Sequence, residues 1–306
     1  MKQFAVLLAG AGLLLGGGPA GALRLPSAPK CPIFPKSNVW NRRVDKLPVA
    51  TNSARIIRSI GLDTGLHPDF GSGKYGGGPI GIPFNVVARK TRRVHLSFED
   101  ADESDKGPYP IPRHVKVEYG SDHHALMLDR SSCKLYEVYA LHGKQAGSGA
   151  IWSLRSNKLR PAGWTSADAA GLPIFPGPAR WDEVKRGRIN HALRFTVENT
   201  RRAYIYPARH YASKSNNPDY PPMGLRVRLK ANVNISHFPR QARIVLTALK
   251  RYGMMVADNG ANWYISGGAE PALVERRVTH DRADHRPRLR GRGHEPPPAL
   301  AASPTG

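Results

Sequence analysis

Between residues 79 and 232 this chain alternates apolar and polar residues in runs too short for anything but strands, each stopped by turn residues. The runs "GIPFNVVA", "RRVHLSF", "HALMLD", "KLYEVYAL", "GAIWSLRS", "HALRFTV", "RAYIYPAR" and "GLRVRLKA" are the predicted strands, with "RSSC" as a hairpin turn between the third and fourth. Two segments break the pattern with helical spacing. "VATNSARIIRSIG" offers Thr51 or Asn52 as a cap, Ile56, Ile57 and Ile60 on one face, and Gly61 as a stop. "FPRQARIVLTALKRYG" aligns Ala242, Val245, Leu246, Leu249 and Tyr252 between Pro239 and Gly253. "MMVAD" and "NWYISGG" follow, and "NGA" between them predicts a hairpin.

Many short strands with few helices predict a mostly β fold, a β-sandwich or jelly-roll-like core with one or two short peripheral helices. The expected organisation is a Pro-rich lead-in over 23–50, one β-rich domain over 51–270, and a disordered, basic, Pro-rich tail over 271–306.

The first 22 residues carry Lys2, an apolar run and a small-residue exit at Ala20–Ala22, the form of a signal peptide. A membrane anchor is the competing reading, but the run is Gly-rich and falls short of the roughly 20 strongly apolar residues a span needs. The expected location is therefore secreted, periplasmic or extracellular, with no membrane span in the mature chain. Export turns the only two cysteines, Cys31 and Cys133, into an expected disulfide; two free buried thiols are the alternative.

Formal net charge is +23, and the tail contributes little of it, holding seven arginines against four acids. A basic body favours a polysaccharide or another anionic cell-surface polymer, or reflects nothing beyond an arginine-rich composition. Export argues against nucleic acid. Several common sites are excluded. "GSGKYGGG" has Tyr75 where a phosphate loop needs Ser or Thr, "AGSGA" lacks the flanking glycines of a nucleophile elbow, and HExxH, CxxC and EF-hand patterns are missing. No cofactor is expected, and a metal is left open.

Candidate chemistry sits on strand faces. "RRAYIYPARHYAS" read as an edge strand puts Tyr204 and Tyr206 toward solvent, with Pro207 forcing an edge or a bulge that re-aims Arg209, His210 and Tyr211. Tyrosine rings stack on sugars, though they serve equally for packing under a second layer. In "GLRVRLKAN", Arg226, Arg228 and Lys230 alternate with core residues and form a cationic track or an ordinary solvated face. For β-elimination, His210 or Tyr211 is the proton-transfer group and Arg209 the carboxylate neutraliser. For glycoside hydrolysis the carboxylates on offer are Asp69, Asp129, Glu137, Asp168 and Asp258, with Asp69 and Glu137 preferred. His67, His124 and His191 are candidate metal ligands if the fold brings them together, and core histidines if not.

Four long blocks, at 154–177, 191–213, 221–236 and 248–267, together with "HPDFGSG" and "CKLYEVYAL", resemble an uncharacterised family of exported bacterial proteins. The resemblance spans most of residues 31–270. It implies one continuous exported domain and assigns no catalytic residue. The expected function is thus an exported carbohydrate-active protein, a polysaccharide lyase or glycoside hydrolase; the alternative is a non-catalytic cell-wall or glycan-binding module.

Overall fold

The computed structural model describes residues 23–270 and 300–303; the leader read at 1–22 and most of the tail lie outside these. In chain order the principal elements are α1 (Ser53–Ile60), β1 (His67–Asp69), β2 (Phe84–Val87), β3 (Ala125–Asp129), β4 (Lys134–Tyr139), β5 (Ser148–Ser153), α2 (Trp181–Lys185), β6 (Leu193–Val197), β7 (Arg226–Leu229), α3 (Arg240–Arg251), β8 (Met254–Asn259), β9 (Tyr264–Ser266) and β10 (Leu300–Ser303). The fold is mostly β. Strands β5-β4-β3-β2 form a four-stranded sheet and β10-β7-β8-β6-β9-β1 a six-stranded one, with short two-stranded ladders around them. The β10 strand pairs with β7 within the stretch read from sequence as a disordered tail. No helix among the described residues is long and apolar enough to cross a membrane.

The four-stranded sheet is covered on both faces, which explains why β3 reads almost without polar residues. Leu126, Leu128 and Leu135 pack with Trp152, Phe175 and the Cys31–Cys133 disulfide on one side. Met127, Tyr136 and Val138 pack with Tyr109 on the other. The "RSSC" turn closes the β3–β4 hairpin as predicted, with Asp129 opposite Lys134.

Against the six-stranded sheet lie α1 and α3, each burying the apolar stripe that its spacing predicts. Leu249 of α3 is fully buried, so truncating it to alanine costs about 2–5 kcal/mol. Gly253 ends this helix at φ 67°, and a Cβ there would lie 2.2 Å from the Val227 carbonyl oxygen, so only glycine fits.

Three strand readings are corrected. Strands β8 and β9 are not hairpin partners; β6 lies between them, pairing Phe195 with both Val256 and Ile265. The "NGA" turn instead wraps the end of β6, where Gly260 N–H donates to Val197 O and Asn259 Nδ2 donates to Glu198 O. Residues 201–213 form no strand: Tyr204 makes one isolated bridge to Met223, and the chain then turns. Nor does β7 show its arginines to water. Arg226 is buried and donates to Val39 O, while Arg228 donates to Val44 O and Leu47 O, because segment 39–47 covers that face. Of the proposed cationic track only Lys230 is exposed.

Two connections join the sheets, residues 70–83 between β1 and β2 and residues 154–180 between β5 and β6, and the second carries more of the polar contacts between them. Its start pairs with the first sheet through Leu154 N–H to Cys133 O, and Ser148 Oγ donates to Ser166 O. Further along it hydrogen-bonds the second sheet, through Ala170 N–H to Ala257 O, Arg194 N–H to Gly177 O and Ala179 N–H to Ser266 O.

The disulfide closes a sequence separation of 102 residues between the lead-in and the β3–β4 turn. Replacing both cysteines by serine is expected to remove about 4–5 kcal/mol of stability, read as a lower urea midpoint that reductant no longer shifts.

Candidate active site

Where the second connection passes from one sheet to the other, it buries a polar seam built around Arg194. The side chain leaves β6 over Gly177, whose missing Cβ leaves room: an added one would sit 2.6 Å from the arginine's own Cβ. The guanidinium donates twice to Asp168, at 3.1 and 2.9 Å, once to Ser266 Oγ at 2.7 Å, and once to Asp258 Oδ2 at 3.2 Å. Two carboxylates thus share one guanidinium. Asp168 is buried, whereas Asp258, near the end of β8, keeps 24% of its side chain exposed.

Next to this group, Asp168–Ala170 organise the former tyrosine segment. Arg209 N–H and His210 N–H both donate to Ala170 O, and His210 Nδ1 lies 2.8 Å from Ala169 O. A carbonyl only accepts, so Nδ1 carries the proton and Nε2 is the ring's remaining acceptor in the neutral form. The His210 ring stacks on Tyr211, and Tyr211 stacks on Tyr204. All three are half-buried, and Tyr206 beyond them is exposed.

The rim around Asp258 is acidic. Burial and then the neighbouring Asp168 carboxylate push Asp258 up to about 7, against the pull of Arg194 and His124. Burial also raises the exposed-edge Tyr139 phenol, with Asp122, Asp258, Glu99 and Asp100 adding to it. Asp100 is raised as well, by burial and then by Glu103, Glu99 and Asp102, while His210 pulls it down. Tyr139 thus feels Asp122, Asp258 and Asp100, and Asp100 in turn feels His210, which places these groups in one neighbourhood, the rim of the candidate site. A basic chain therefore carries an acidic site.

The candidate residues fall into three groups. His210 and Tyr211 stand at the rim, and His124 lies just below it, its ring 5.6 Å from that of Tyr139. Arg209 is adjacent, but its Nε is committed to Arg160 O at 3.0 Å. Glu137 is out of a substrate's reach: it is fully buried, shares a strand face with Leu135, and accepts the Ile174 and Phe175 N–H groups at 2.9 and 2.7 Å. His191 is a core histidine held by Glu183 and the Ala192 carbonyl. His67 stacks on Tyr264, and Asp69 faces Ser266 in the parallel register of β1 and β9. His67, His191 and His210 therefore share no ligand set; among the described residues the one group with metal-ligand spacing is Glu118, Asp122 and His124.

Asp258 was visible in sequence as one carboxylate among five, and nothing local raised it above the others. Arg194 carried a signal: a charged residue inside the otherwise apolar "HALRFTV", on the face shared with Thr196.

Burial lifts the Glu137 carboxyl from 4.5 to about 7, against the two N–H groups that favour its charge. Such a group favours folding most below its unfolded value, and the benefit is lost as pH climbs through about 7. Asp258 acts in the same direction. The melting temperature is therefore expected to fall between about pH 5 and 8. Glu137→Gln is expected to give a shallower fall from a lower starting point, since its amide nitrogen must face one of the two N–H groups. Thermal scans across this pH range check both.

No protein-family model, curated protein or solved structure matches this chain.

Proposed function

We propose that this chain is an exported glycan-cleaving protein that works at the acidic rim by hydrolysis. The observation that carries the reading is the pairing, on opposite sides of Asp168–Ala170, of a part-exposed carboxyl at Asp258 with a histidine of set tautomer at His210. Glycoside hydrolysis needs one group that gives a proton to the leaving oxygen and one that takes a proton from water. Asp258, held near 7 by burial and Asp168, is the donor. His210, with Nε2 free to accept, takes the proton as the water oxygen bonds to the anomeric carbon and the glycosidic bond breaks. Tyr204, Tyr206 and Tyr211 offer the flat surfaces on which sugar rings lie. The leader and the Cys31–Cys133 bridge support export.

Against the lyase form of this reading stand two observations. Arg209, the expected carboxylate neutraliser, is turned to the Arg160 carbonyl, and an anionic sugar approaching Asp258 would meet Asp100, Asp122 and Glu99. Neutral glycans suit such a rim better.

Purified full chain is tested on neutral and acidic polysaccharides, following reducing ends and ultraviolet absorbance together. New reducing ends without new absorbance are expected, with the rate falling above about pH 7 as Asp258 loses its proton. Asp258→Asn and His210→Ala are each expected to lower kcat by about 100-fold or more while leaving retention on the polymer intact. New absorbance would replace hydrolysis by elimination. Retention without cleavage of any polymer would make the chain a binding module.

A further inference from the structure

We infer that Glu118, Asp122 and His124 form a binding site for a divalent transition cation at the edge of this rim. One ligand atom from each lies within 4.8 Å of the others, about the spread that three ligands of a single ion span. The chain between them is built as a closed loop. Glu118 N–H donates to His124 O at 2.9 Å, and the loop is tied to the end of β4 by Ala140 N–H to Asp122 O and Leu141 N–H to His123 O.

The hydrogen bonds of His124 point to the ligand. Its Nε2 lies 2.9 Å from Ala167 O, and because a carbonyl only accepts, Nε2 carries a proton. In the neutral ring Nδ1 is then a lone pair, and it is directed at Glu118 Oε2, which is also a lone-pair donor. Two such atoms face one another only with positive charge between them, a proton or a cation. Histidines that bind metals characteristically give their other N–H to a backbone carbonyl, the arrangement seen here.

Asp122 supplies the third ligand atom. It is exposed, accepts from Ser121 Oγ at 3.1 Å, and forms no ion pair among the described residues. A proton between His124 and Glu118 joins only two of the three groups, whereas an ion joins all three. One imidazole and two carboxylates suit manganese or zinc better than calcium, which takes oxygen ligands alone. Three protein ligands with an open side toward solvent match sites where a metal holds water, not closed structural ones. The inference stands on these side chains and does not require the glycan reading.

The test is a calorimetric titration of tag-free full-length protein with zinc chloride and with manganese chloride, and no substrate. One equivalent of at least one metal is expected to bind and to raise the melting temperature. Asp122→Asn is expected to weaken binding at least about tenfold, with the melting temperature of the metal-free protein unchanged because Asp122 is exposed. Glu118→Gln should weaken it likewise. No saturable binding of either metal would overturn the inference. So would binding that survives both substitutions and is lost in His142→Ala, since the ion would then sit on the nearby His123–His142 pair.

Discussion

The fold turns on one buried guanidinium. Arg194 belongs to the six-stranded sheet, yet its partners come from three places: Asp168 on the connection, Asp258 on β8 and Ser266 on β9. Burying a charge is costly unless every donor finds an acceptor, and removing one partner of such a group typically costs about 3–5 kcal/mol. The arginine is raised further above its ordinary value by Asp168 and Asp258 despite burial, so it stays charged. It therefore dictates where the connection runs, and the connection in turn decides what lines the seam. Ala169 and Ala170, next to Asp168, hold His210 in place. Ile174 and Phe175 cap Glu137.

That geometry explains how a chain of net charge +23 has an acidic site. Several of the arginines that composition suggests for an anionic ligand are spent on structure. Arg226 and Arg228 hold the carbonyls of segment 39–47, Arg160 donates to Asp105 and two carbonyls, and Arg180 pairs with Glu183. Net charge describes the field felt at a distance, while a site responds to the few groups within reach. Here those groups are Asp258, Asp122, Asp100 and Glu99.

How much of this was legible depends on the range of the interaction that decides it. The β3–β4 hairpin rests on an alternating pattern and a four-residue turn, and α1 and α3 rest on apolar residues one turn apart; each lies within about fifteen residues and is legible in the sequence. The disulfide spans the chain but follows from there being only two cysteines. Arg226 was misread because alternation reveals two faces without revealing what covers them, and segment 39–47 is about 180 residues away. The tyrosine segment was misread for the same reason. Its backbone bonds Pro221 and Met223 in its first half and donates to Ala170 O in its second, so no continuous strand forms. His210 and Tyr211 stack on one another there, half-buried.

The seam also explains why strain on stability and capacity for chemistry coincide here. Arg194 is shared by two carboxylates, Asp168 and Asp258, and Glu137 forms no ion pair among the described residues. Glu137 and Asp258 are the ones pushed up to about 7. A core selected for stability alone would replace them with apolar groups of similar size. Glu137 has a structural use, ordering two N–H groups of the connection that no strand satisfies. Asp258 has no equivalent obligation: Asn259 N–H and a shared guanidinium do not require a carboxyl that reaches solvent. Asp168 already takes two of the guanidinium's hydrogen bonds, so a second, part-exposed acid raised toward neutrality is more than the fold needs to hold Arg194. That surplus is the physical argument for looking to Asp258 first.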